Sequence, residues 1–110
     1  MANRAISRYI RISPRKLRMV VDPLRKKSVQ EAINILSFCK KRGAKFVEKT
    51  LMSAVSNTVQ SGNADLDKLF IKKIIVDPGP IMKRYRAASM GRGMMIRKRT
   101  SHLKIELDVR

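Results

Sequence analysis

The chain has 110 residues, enough for one compact domain and too few for two, and 44% of them are apolar, sufficient for a packed core and contrary to wholesale disorder. Its 26 Lys and Arg face 8 Asp and Glu, a formal net charge of +18, where a free small domain carries a magnitude of roughly 2–8; the excess points to neutralisation by a polyanion, nucleic acid first and a membrane surface second. No apolar run approaches the roughly 20 residues that span a bilayer, no apolar leader core follows Met1, and Cys39 alone leaves no internal disulfide or cysteine metal cluster, which suits a reducing cytosol.

In chain order, the first predicted element is a strand from Ala5 to Ile12. It is β-branched and arginine-rich, with Ile6, Ile10 and Ile12 sharing one parity and Arg8 interrupting the apolar face. Ser13-Pro14 starts a helix, because serine supplies a cap acceptor and proline is pre-set for the first helical position. Leu17, Val20 and Val21 form its buried stripe, and Arg15, Lys16 and Arg18 project around the rest. Pro23 disfavours helical geometry at Asp22, so a break or kink is expected there. Ser28, with Glu31 three residues on, is a capping box that opens a second helix carrying Ala32, Ile33, Ile35 and Leu36.

After Lys40-Lys41-Arg42-Gly43 a third helix runs from about Ala44 to Gln60. Val47, Leu51, Ala54, Val55 and Val59 recur at helical spacing along it, and Ser61-Gly62-Asn63 ends it. Phe70 to Val76 reads as a largely buried strand with Lys72 and Lys73 snorkelling or at its edge. Leu103, Ile105, Leu107 and Val109 alternate with His102, Lys104, Glu106, Asp108 and Arg110, the pattern of a strand with one face toward a core. Phe38, Phe46 and Phe70 are expected in that core. The fold class is α+β: a small three-stranded antiparallel sheet with three helices on one face and a long protruding β-hairpin arm.

The arm follows from charge. Between Asp77 and Glu106 there are no acids, yet Lys83, Arg84, Arg86, Arg92, Arg97, Lys98, Arg99 and Lys104 all fall there. The segments on either side read as strands, and strands close in sequence usually pair. A structureless connection from Ile81 to Thr100 is too long for so small a domain unless it has a job. Extending both strands into a ribbon that turns near Gly91-Arg92-Gly93 removes the difficulty, since glycine permits the positive φ of a tight turn. At ~3.3 Å per residue, ten residues per leg reach about 33 Å. The single domain then has a body of about 1–78 and 101–110 and an arm of about 79–100. An isolated ribbon is marginal in water, and one lacking acids is worse, so a polyanion is expected to order it. If about six of its cations meet phosphates, affinity falls with log salt at a slope near −4 to −5. A loose basic loop is the plainer alternative.

Val76-Asp77-Pro78-Gly79-Pro80, Lys83-Arg84, Gly91-Arg92, Ile96, Lys98-Arg99 and Ser101-His102, in this order and spacing, resemble the family of large-subunit ribosomal protein twenty-two. Ser13 to Asp22 is similar to the first-helix motif of that family, and Ser53-Ala54, Asn57 and Ala64-Asp65-Leu66 are similar to its middle. The resemblance covers nearly the whole chain and is of bacterial type. It implies a small α+β body on the subunit's surface and a long hairpin through ribosomal RNA, with its tip lining the nascent-peptide exit tunnel. It further implies a role in early subunit assembly. By matching position, Met82, Lys83 and Arg84 fall on the stretch tied to macrolide effects, and Met90, Gly91, Arg92 and Gly93 fall at the tunnel-facing tip. Three departures stand out: Ala87-Ala88-Ser89 where the family often has Pro-Arg-Ala, Pro23 in the first helix, and Lys26 where glycine is common.

Among single residues, Arg15, Lys16 and Arg18 weigh toward phosphate contact over a merely solvated face. Arg4, Arg8 and Arg11 join them as RNA-binding candidates, with Lys83, Arg84, Arg86, Arg92, Arg97, Lys98 and Arg99 of the arm. For His102, an RNA hydrogen bond and plain exposure are even choices. Asp65 and Asp67 read as loop solvation rather than a metal site, and Cys39 as a small apolar residue. Met90, Met94 and Met95 read as adaptable contacts to RNA bases or passing peptide rather than core.

One His, one Cys and no phosphate-cradling glycine loop leave little from which to assemble an active site. No enzyme, cofactor or metal is expected. The expected partners are large-subunit ribosomal RNA, neighbouring large-subunit proteins and the nascent peptide, with no membrane and a monomer in the ribosome. A DNA-architectural, histone-like protein is the rival reading. Its arms usually carry an apolar wedge at the tip, whereas Pro78 and Pro80 lie at the arm's base.

Overall fold

The computed structural model describes residues 3–60, 66–87 and 93–109; for residues 66, 82, 84–87 and 94–97 it describes the backbone. Strand β1 spans Arg4–Ile10, helix α1 Pro14–Val21, α2 Val29–Phe38 and α3 Gly43–Gln60, followed by strands β2, Leu69–Ala87, and β3, Gly93–Val109. Short 3-10 turns occupy Asp22–Leu24 and Leu66–Lys68. The sheet is antiparallel with order β1-β3-β2, so β3 is central. The α+β architecture matches expectation.

Local chemistry sets the helix ends. The Ser13 hydroxyl accepts from the Lys16 amide at 3.5 Å, and Pro14 takes the first helical position. At Pro23 the α-helix gives way to the 3-10 turn. Ser28 Oγ accepts from the Glu31 amide at 3.2 Å and so caps α2. The helices pack on one face of the sheet: Leu17, Val21, Leu24, Ala32, Val47, Leu51 and Ala54 meet Ile71, Ile74, Leu103, Ile105 and Leu107, all fully buried. Each large side chain there is worth about 1.5–3 kcal/mol. Among the described residues the buried hydroxyls are all bonded. Ser101 donates to Ile12 O (2.6 Å), Thr100 to Pro80 O (2.6 Å), Thr58 to Ala54 O (2.8 Å) and Thr50 to Phe46 O (2.9 Å).

Several expectations need correction. Ile6 faces solvent, and Ala5 and Ser7 point inward instead. The cause is a β-bulge: Ser7 pairs with Leu103 and Ile10 with Ser101, so Arg8 and Tyr9 stand against His102 alone. Tyr9 takes φ 58° there, and the bulge reverses parity so that Ile10 is buried. Lys72 and Lys73 are exposed on the edge strand β2, in keeping with expectation, and a second bulge, between Ile71 and Lys73, turns both outward. Phe38 is not core but 86% exposed, because α2 ends on it and turns it away from the sheet. Phe46 and Phe70 are only half-buried. Val59 is exposed while Thr50 and Thr58 take its place inside, and Val109 is exposed where β3 runs past the helices. Gly93 opens β3, opposite Ala87. Cys39 is half-buried against the core, as expected of a small apolar residue.

The arm arises where β1 stops. Its last pairing is Ile10 with Ser101. Beyond that point β2 and β3 continue alone, from Ile81 opposite Arg99 to Ala87 opposite Gly93. A third bulge, between Pro78 and Ile81, sits at this junction. The residues expected to end α3 (Ser61, Gly62, Asn63), with Asp65, and those expected at or beside the tip (Ala88, Ser89, Met90, Gly91 and Arg92) lie outside the described residues.

Candidate nucleic-acid interface

The base of the arm is held from both sides. On one side, the Tyr9 amide donates to His102 Nδ1 at 3.1 Å, and the two rings meet edge to face at 5.0 Å. An imidazole nitrogen that accepts carries no proton, so the proton of a neutral His102 sits on Nε2. On the other side, Gly79 lies so close to β3 that a Cβ there would come 2.5 Å from Thr100 Oγ1 and 3.3 Å from His102 Nε2. Only glycine allows this approach.

The outer edge of β2 is covered by two arginine side chains and one backbone carbonyl. Arg18 Nη2 donates to Val76 O at 2.9 Å, Arg25 Nη1 to Ile74 O at 2.8 Å, and the Ile71 amide to Lys27 O at 2.9 Å. An uncovered edge invites pairing with another chain. Arg18, read from sequence as a phosphate contact, therefore also has a structural task.

Two grooves open where the arm leaves the body. The first, of about 700 Å³, is rimmed by Arg11, Lys16, Lys41, Arg42, Lys98 and Arg99 over Ile12, Met19 and Val20. The second, of about 740 Å³, has Arg15, Lys16, Arg18 and Arg99 around Pro14, Met19 and Pro78. No acid lines either one. Here the fold gathers cations from β1's end, α1, the α2–α3 connection and β3. Lys41 and Arg42 were missed from sequence, where they read as a linker. Gly43 beside them was the available signal. A Cβ on it would lie 3.2 Å from Leu17 Cδ1 and 3.3 Å from Val20 Cγ2, so glycine seats this connection against α1.

Arg4 and Arg8 lie apart from the grooves, exposed along β1. On the arm, Lys83 is exposed and stands in register opposite Arg97, while Arg84 is in register with Ile96 and Arg86 with Met94. Like charges directly across a ladder destabilise it. Among the described residues no group of three or more His, Cys, Asp or Glu could hold a metal ion, and no helix is long and apolar enough to cross a membrane.

The family model described as Ribosomal protein L22p/L17e matches residues 5–108. The chain belongs to this family. A relative from Caldicellulosiruptor saccharolyticus, large ribosomal subunit protein uL22, is 52% identical over 96% of this chain and 87% of its own length. Proteins of the same name from Syntrophotalea carbinolica and Thermus thermophilus are 49% and 50% identical, over 98% and 97% of this chain and 98% and 95% of their own lengths. The L22p/L17e match thus takes in the body and both legs of the arm.

Proposed function

We propose that this chain is a structural constituent of the large ribosomal subunit, located on the cytoplasmic ribosome, and that it binds ribosomal RNA through shape and charge. The name carried by the relatives, large ribosomal subunit protein, supports the ribosomal role over the DNA-architectural one. The observation that carries RNA binding is the arm: a two-stranded ribbon past the end of β1, with Lys83 in register opposite Arg97 and no acid along its sequence. Such a ribbon gains most when phosphates surround it.

In this reading the chain is one domain, with a body of about 1–78 and 101–110 and an arm of about 79–100. Arg84, Arg86, Arg92, Arg97, Lys98 and Arg99 join Lys83 in meeting phosphates along the arm. Arg4, Arg8, Arg11, Arg15, Lys16 and Arg18 do so on the body, and His102 offers Nε2 to RNA. Met90, Gly91, Arg92 and Gly93 line the nascent-peptide tunnel, neighbouring subunit proteins complete the partners, and the protein acts as a monomer.

The test removes the arm. Deleting residues 83–95 joins Met82 to Ile96, and because Met82 pairs with Lys98 the connection becomes two residues. I96N/R97G then supplies the turn chemistry that a two-residue hairpin prefers. The variant is expected to fold but to be lost from large subunits in moderate salt, whereas the full chain stays on them. If the shortened protein sediments with large subunits as salt-resistantly as the full chain, the proposal is wrong.

A further inference from the structure

We infer that the groove between α1, the α2–α3 connection and β3 seats an unpaired nucleobase of the bound RNA. The inference rests on the RNA-binding reading above and names what occupies one site within it. A surface built only for phosphates needs cations and polar atoms, yet this groove has a floor of Ile12, Met19 and Val20. Met19 is 56% exposed on an otherwise basic face, flanked at helical spacing by Lys16. The groove's volume, about 700 Å³, lies within the roughly 300–1,000 Å³ of small-molecule sites.

The chemistry of the rim narrows the occupant. A cationic, acid-free rim over an apolar floor matches a ligand that is anionic at its edge and apolar on its face. In RNA that combination occurs where a base leaves its helix: the ring offers its flat face and the adjoining phosphates remain outside. A paired base cannot do this, because its faces are stacked and its deep groove is too narrow to enter. Met19 supplies a polarisable thioether for the ring. Arg42 and Arg99 supply planar guanidinium groups that stack as well as pair, and Lys16, Lys41 and Lys98 supply point charges for phosphate.

Salt separates the two kinds of interaction. Binding of the purified protein to large-subunit ribosomal RNA is titrated over a salt series. Met19→Ser should weaken binding about five- to tenfold, as expected when one apolar side chain no longer covers the ring, and leave the log–log salt slope unchanged. Met19→Leu should restore affinity. K41A/R42A should instead flatten the slope by about 1.4–1.8, at about 0.7–0.9 for each phosphate left unneutralised. In intact large subunits, a benzophenone side chain at position 19 should cross-link to one or a few nucleotides whose bases are unpaired. Equal affinity of Met19→Ser and the native chain overturns the inference, as does a cross-link to paired RNA or to protein. Those failures leave the RNA-binding reading intact. That reading falls, and this one with it, if the native protein binds the RNA without salt dependence or if the arm-deleted chain stays on large subunits as salt-resistantly as the full chain.

Discussion

Among the described residues, two other than glycine hold positive φ angles, Tyr9 at 58° and Lys26 at 61°. For an L residue this conformation costs roughly 1–2 kcal/mol. Tyr9 recovers part of that through its ring contact with His102, worth about 0.5–1.5 kcal/mol. Lys26 lies between the 3-10 turn and α2. Glycine takes such an angle without steric cost, so relief of backbone strain in Lys26→Gly should stabilise the protein by about 0.5–1 kcal/mol after allowing for the more flexible unfolded chain, seen as a higher urea midpoint. Tyr9→Gly should bring no such gain. Gly79→Ala should act in the opposite direction. Its Cβ would come 2.5 Å from Thr100 Oγ1, so the Thr100–Pro80 bond must give way, at a cost of about 1–3 kcal/mol measurable in the same urea experiment.

At the scale of elements, the edge of β2 and the length of the arm each make a prediction. Arg25 bonds the Ile74 carbonyl and an exposed Asp22 carboxylate. The surface ion pair is worth little, so Arg25→Ala should lose about 1–2 kcal/mol, mostly through the carbonyl. Asp22→Ala should lose less than half of that, and thermal unfolding compares the two. The arm contributes binding rather than stability, because beyond Ile81 its strands pair only with each other. Removing residues 83–95, with the Asn-Gly turn in place, should leave body stability within about 1 kcal/mol. The arm was legible in sequence because an acid-free, cation-rich stretch between two strands is too long for a plain loop. The bulges were not, since each reflects a mismatch in length between partner strands. That is why Ile6, correctly placed in a strand, was assigned the wrong face.

Over the whole molecule, charge gives stability and binding opposite responses to salt. With a net +18, the free protein repels itself, and added salt screens that repulsion. Its urea midpoint should rise between roughly 0.05 and 0.5 M salt, while affinity for ribosomal RNA falls. The shortened, turn-replaced variant lacks five of these cations (Lys83, Arg84, Arg86, Arg92 and Arg97). At about 0.7–0.9 per cation its log–log binding slope should be shallower by about 4. A slope matching that of the full chain would mean the arm touches no phosphate.

The order of helices and strands, the one-sided core and the projecting ribbon could be read along the chain, because periodicity, capping residues and charge runs act over short sequence distances. The grooves could not. Arg11, Lys41 and Arg99 are far apart in sequence, and they meet because β1 ends at Ile10, opposite Ser101, and Gly43 lets the α2–α3 connection settle on α1. The same holds for Phe38 and Val59, whose apolar side chains fit a core by composition. Helix rotation and the finite area of a three-stranded sheet leave them in water. Local pattern states which residues are able to be buried; the packing of helices against a limited sheet chooses among them.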